Sequence, residues 1–139
     1  MEDQKITIQT KISAPVKKVW EAYNNPEHII KWNQATDDWH CPKAENNLQP
    51  GGKYRARMEA KDGSFGFDFE AVYDEVIPQK KIVYTIADGR KVETKFEDWD
   101  NSTLISTNFE AENQNPIEIQ RDGWQAILNN FKKYVETLY

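Results

Sequence analysis

The 139 residues hold 18 Lys plus Arg against 23 Asp plus Glu, a formal charge of −5 with no basic run, which excludes nucleic acid as a partner because phosphate binding needs clustered cations. That length suits one domain, expected to span residues 1–139, with a real core that needs no staples. A single cysteine, Cys41, excludes an internal disulfide and fits a reducing, cytoplasmic setting.

The start, Met1-Glu2-Asp3, is acidic and has no apolar stretch, so no secretory signal is expected. No apolar run approaches the ~20 residues that span a bilayer, so no membrane insertion is expected. Ile6, Ile8, Thr10 and Ile12 alternate with polar residues and predict a first strand with one buried face. Pro15 then opens a short helix with Val16, Val19, Trp20 and Tyr23 on one face, ended by Asn24-Asn25. Pro26 begins a second short helix carrying His28, Ile29, Ile30 and Trp32.

Residues 33–50 are irregular and polar apart from Trp39, Cys41 and Leu48, and close on Pro50-Gly51-Gly52. They read as a long loop, of the kind used for lids or binding. Strands then follow one another. Tyr54, Ala56, Met58 and Ala60 share a face opposite Lys53, Arg55, Arg57 and Glu59, and Asp62-Gly63 signals a hairpin. Phe65, Phe67, Phe69, Ala71 and Tyr73 alternate next, with a phase change near Val76-Ile77 that suggests a bulge. Ile82, Tyr84 and Ile86 follow, then Asp88-Gly89 and the strand Val92, Thr94 and Phe96. Asp100-Asn101 turns into Ile105, Thr107 and Phe109. Six strands joined by tight turns predict an antiparallel sheet.

From Asn115 onward Ile117, Trp124, Leu128, Phe131, Val135 and Leu138 recur every three or four positions as one helical stripe. Asn115 is placed to cap, Pro116 to take the first helical position and Glu118 to complete a capping box. About 23 helical residues make a rod of roughly 35 Å. Gly123 beside Trp124 suggests close approach to the sheet. The expected fold is α+β: a bent six-stranded antiparallel sheet, two short helices, and one long terminal helix across the middle, a helix-grip.

The inward faces offer Tyr54, Met58, Phe67, Phe69, Tyr84, Phe96 and Trp124 as walls of a hydrophobic cavity, or as a dry core. Thr94, Thr107 and the hydroxyls of Tyr54 and Tyr84 could supply its polar groups, or satisfy one another. Arg121, one turn before Trp124, could anchor an anionic group at the mouth, or snorkel outward. Trp32 and Trp39 could serve as a lid, or pack over the end of the sheet. Asp37, Asp38, His40 and Cys41 hold metal-capable atoms without ligand spacing, so no metal or other cofactor is expected. No G-x-S-x-G, phosphate-cradling glycine loop or H-E-x-x-H occurs, so no catalytic residue is assigned.

An ordered set of short motifs adds a resemblance. Ser13-Ala14-Pro15-Val16 with Val19-Trp20, and Asn25-Pro26-Glu27 with Trp32, come first. Pro50-Gly51-Gly52-Lys53-Tyr54, Val76-Ile77-Pro78 before Ile82-Val83-Tyr84, and Gly123-Trp124 with Leu128, Phe131 and Tyr134 follow in order. In these the chain resembles the START-like (SRPBCC) superfamily and, within it, the family named after the activator of the heat-shock protein 90 ATPase. The resemblance implies a helix-grip fold with a central cavity. It implies three functions: binding of a small hydrophobic molecule, aromatic or lipid-like; a chaperone partner; or cyclase and aromatase chemistry. The eukaryotic activators carry an additional N-terminal domain, whereas only Met1 to Gln4 precede the first strand here, which is expected to weigh against ATPase activation. A non-catalytic binder is the leading expectation.

Overall fold

The computed structural model describes residues 5–138. The order is β1 (Lys5–Ile12), α1 (Val16–Asn24), α2 (Pro26–Trp32), β2 (Trp39–Asn46), β3 (Lys53–Ala60), β4 (Gly66–Ile77), β5 (Lys81–Ile86), β6 (Lys91–Trp99), β7 (Ser102–Glu110) and α3 (Ile117–Leu138). All seven strands form one antiparallel sheet in the order β1-β7-β6-β5-β4-β3-β2. The chain therefore meanders from β2 to β7, and β1 closes the far edge by pairing with β7. This is the helix-grip, START-like fold.

The sheet has one strand more than the six expected, because β2 lies inside the segment read as a loop. Its pairing with β3 shifts register between His40 and Lys43, and Pro42 sits in that irregularity, as proline does on an edge strand. The one extra residue breaks the alternation that would have announced a strand. Only Cys41 is fully buried along β2. In β4 the bulge falls at Asp74, between Tyr73 and Glu75, slightly before the phase change that the sequence suggested.

The β2–β3 connection is held by backbone. Gly51 donates to the Tyr73 carbonyl at 2.8 Å and Tyr73 donates to the Gly52 carbonyl at 2.9 Å. A Cβ at Gly52 would lie 2.0 Å from the Asn47 carbonyl oxygen, so no side chain fits there. This turn locks β3 against the middle of β4.

The α1–α2 break is set by Asn25, whose side chain accepts from the Glu27 amide at 3.0 Å while Pro26 takes the first helical position. Helix α3 begins at Ile117 rather than Pro116. Asn115 does not cap it; its amide donates to the Glu112 carboxylate. Instead Gln120, which is buried, clamps the β7–α3 connection. Its amide donates to the Glu112 and Asn115 carbonyls at 3.1 and 2.8 Å, and its oxygen accepts from the Glu112 amide at 2.9 Å. Over its 22 residues, about 33 Å, α3 lies mainly along β1 and touches α1 and α2. Leu128, Phe131 and Val135 are buried, whereas Leu138 is 46% exposed and leaves the expected stripe.

Gly123 does not mark a close approach. A Cβ there would meet nothing within 4 Å, and its φ is not in the left-handed region. Gly123→Ala is therefore expected to raise stability by about 0.5–1 kcal/mol through helix propensity. Urea denaturation checks this; a loss of stability would mean the helix needs bare backbone at that point.

The core sits under α1 and the C-terminal half of α3. Ile6, Ile12, Ile29, Ile105, Phe109 and Phe131 are each nearly or wholly inaccessible. The outer face of β3 and β4 carries ion pairs, including Arg55 with Glu70 at 2.9 Å and Arg57 with Glu59 at 2.9 Å. Among the described residues no helix is long and apolar enough to cross a membrane.

Candidate functional site

Because α3 rests on β1 and on the short helices, it leaves the β3–β5 end of the sheet partly uncovered. A cavity of about 380 Å³ remains there, at the small end of the range for ligand sites. Period-two alternation places Tyr54 and Met58 of β3, Phe67 and Phe69 of β4 and Tyr84 of β5 on its floor. Trp124, Ile127 and Leu128 of α3 form the roof, and Trp32 and Asn33 close one wall.

The walls are held by ring packing. Phe69 meets Tyr54, Tyr84 and Trp124 edge-on, with centroids 6.0, 6.3 and 6.4 Å apart. Trp124 stacks on buried Phe109 at 4.1 Å and 15°. Trp32 is fixed by its indole N–H, which donates to the Ala22 carbonyl at 2.9 Å, and by its edge contact with Phe131 at 4.8 Å. It forms one wall of the cavity from the end of α2.

Polar groups are few. The Thr94 and Thr107 hydroxyls bond each other at 3.1 Å, so that pair is satisfied internally. Asn33 Nδ2 donates to the Tyr54 hydroxyl at 3.4 Å. Arg90 reaches the mouth from the β5–β6 turn, its Nε donating to Asp88 at 2.8 Å and its Nη1 to the Glu110 carbonyl at 3.3 Å. Burial, with the neighbouring phenols, holds the Tyr54 and Tyr84 hydroxyls well above the ordinary tyrosine pKa. Both are neutral donors at any physiological pH and poor bases.

Of the candidate residues, Trp32, Tyr54, Met58, Phe67, Phe69, Tyr84 and Trp124 meet around this cavity. Trp39, Phe96 and Arg121 do not. Phe96 points inward, but toward α1, where it packs on Trp20 and Tyr23 at 5.0 and 5.3 Å. Arg121 is exposed, while its neighbour Gln120 takes the buried position in that turn of α3. Trp39 packs on the outer rim against Phe65 and Phe67, at 6.0 and 6.1 Å. His40 pairs with Glu59 at 3.6 Å, and Cys41 donates to the Lys43 carbonyl at 3.4 Å. Among the described residues no group of His, Cys, Asp and Glu is arranged to hold a metal ion. A larger depression of about 630 Å³ lies between α1 and strands β4 to β7, rimmed by Lys80, Lys81, Lys95, Glu97 and Asp98.

A family model described as "Activator of Hsp90 ATPase homolog 1-like protein" matches residues 13–136. The chain belongs to that family. Solved structures agree. An AHSA1-like protein from Aeromonas hydrophila is 38% identical, covering 97% of this chain and 94% of that one, with a TM-score of 0.92. Chr148 from Cytophaga hutchinsonii is 48% identical over 96% and 93%, with a TM-score of 0.83. NE0264 from Nitrosomonas europaea, at 16% identity and a TM-score of 0.84 over 97% and 96%, shares the fold alone. None of the functionally curated proteins matches.

Within this AHSA1-like framework, sequence reasoning missed Asn33, Arg90, Ile127 and Glu112 at the cavity. Asn33 and Glu112 lie outside regular elements, where periodicity says nothing. Arg90 follows a Gly89 with φ of 96°, and the Asp88-Gly89 hairpin signal could have suggested that its side chain is turned back toward the sheet.

Proposed function

We propose that this chain, acting as a single START-like domain, binds a small hydrophobic molecule, aromatic or short-chained and lipid-like, between the sheet and α3 without catalysis. The cavity of about 380 Å³ carries the reading, being walled by aromatic side chains with few polar groups. Its size favours a planar ring system or one short chain over a two-chain lipid. Tyrosines held protonated give little support to cyclase- or aromatase-like acid–base chemistry. Buried Cys41, unpaired, fits a cytoplasmic setting.

The test is a screen of planar aromatics and single-chain lipids, read by tryptophan fluorescence and amide shifts. Ligands of micromolar or better affinity are expected, with shifts centred on Trp124 and Leu128. Silence across a broad library would remove the reading.

The family description favours a second reading, a module that docks on a heat-shock protein 90 chaperone. Stimulation of the cognate chaperone's ATPase by excess protein would support it, and no stimulation would reject it.

A further inference from the structure

Most of the cavity's polar groups, Tyr23, Asn33, Tyr54, Tyr84, Arg90 and Thr107, are able to donate a hydrogen bond. Tyr84 lines it, is 9% exposed, and its hydroxyl has no hydrogen-bond partner among the described residues. That hydroxyl opens onto the cavity and is free to donate to a ligand in largely desolvated surroundings. Parallel to Tyr84, with centroids 6.3 Å apart and 4° between planes, lies Tyr54. Its oxygen accepts from Asn33, which leaves its own O–H to donate.

Charge decides what these donors suit. Arg90 stands at the same end, but Asp88 occupies its Nε at 2.8 Å, and the Glu112 carboxylate, bonded by Asn115, also borders the mouth. Two acids beside one guanidinium make this end unwelcoming to an anion. Neutral phenols that resist ionisation, facing an apolar space, suit a neutral acceptor oxygen instead.

Resting on the binding role proposed above, the geometry points to a ligand class: an uncharged hydrophobic molecule bearing a carbonyl oxygen, seated so that the Tyr84 hydroxyl, with Tyr54 beside it, donates to that oxygen while the apolar body lies under Trp124. The hydrocarbon part gives affinity, and the oxygen gives orientation and selectivity. A site built to donate discriminates against an isostere that cannot accept.

Calorimetric titration with 2-acetylnaphthalene, 2-isopropylnaphthalene and 2-naphthoate at pH 7 tests this. The ketone should bind ~10-fold more tightly than its hydrocarbon isostere, as one satisfied buried donor implies. Tyr84→Phe should erase that ratio by weakening the ketone more than the isopropyl compound. Equal binding of ketone and hydrocarbon by the native protein would overturn the ligand class and leave the hydrophobic-binder reading standing. Tightest binding of 2-naphthoate, lost in Arg90→Gln, would overturn it in favour of an acidic head group. If none of the three binds, the ligand class falls, and the binding role itself is decided by the broader screen described above.

Discussion

Phe131→Ala is expected to cost about 3–5 kcal/mol of folding stability. Phe131 is fully buried at 0% exposure, and its ring meets Trp32 at 4.8 Å and Tyr23 at 5.3 Å, both edge-on. Those neighbours cannot close the hole. The Trp32 indole is tied to the Ala22 carbonyl, and Tyr23 is held between Trp32 and Phe96. Where the surroundings do not collapse, the void adds to the lost transfer energy. Urea denaturation at 25 °C measures the loss, with Phe131→Leu as a milder variant because domains of this size hold only about 5–15 kcal/mol in all. A cost below about 1 kcal/mol would mean that α3 does not dock as described.

Trp124→Ala should have a smaller effect on stability and a larger one on binding. Trp124 is only partly buried, so the expected cost is about 2–3 kcal/mol, much of it from the stack on Phe109. As the roof over Phe69, however, its loss should weaken binding of an aromatic probe by at least about tenfold, since a whole ring face is returned to water. Parallel denaturation and titration of the variant check both. Unchanged affinity would place the ligand somewhere other than under α3.

The contrast between Phe131 and Trp124 shows what periodicity conveys. The i, i+3, i+4 stripe identifies the face of α3 that turns inward, and period two identifies the inward face of β3 to β7. Neither says how far along its element a residue sits from the cavity. Phe96 and Tyr84 share the inward parity of neighbouring strands, yet Phe96 lies under α1 and Tyr84 opens onto the hollow. That difference arises from where α3 and the short helices cover the sheet, a tertiary matter. Arg121 fails for a related reason, since it is exposed and buried Gln120 holds the connection instead.

The cavity's polar chemistry was the least legible part. Asn33 follows α2 and Arg90 follows a turn, so each is aimed by one local backbone geometry and not by a repeating pattern. Strand β2 was hidden by the irregularity around Pro42. By contrast, the hairpins at Asp62-Gly63 and Asp88-Gly89 were readable because glycine at positive φ has a fixed use in such turns. Phe65 and Phe67 carry the same alternation as the inward residues of β4, yet are 61% and 42% exposed, because that alternation continues past the edge of the core.

The hollow beneath α3 is open to direct observation, since apolar cavities take up xenon. A crystal structure under xenon pressure should show the gas bounded by Met58, Phe69, Trp124 and Leu128, with the surrounding rings unmoved. Coordinates in which those side chains meet across the space, and no xenon enters, would contradict the account.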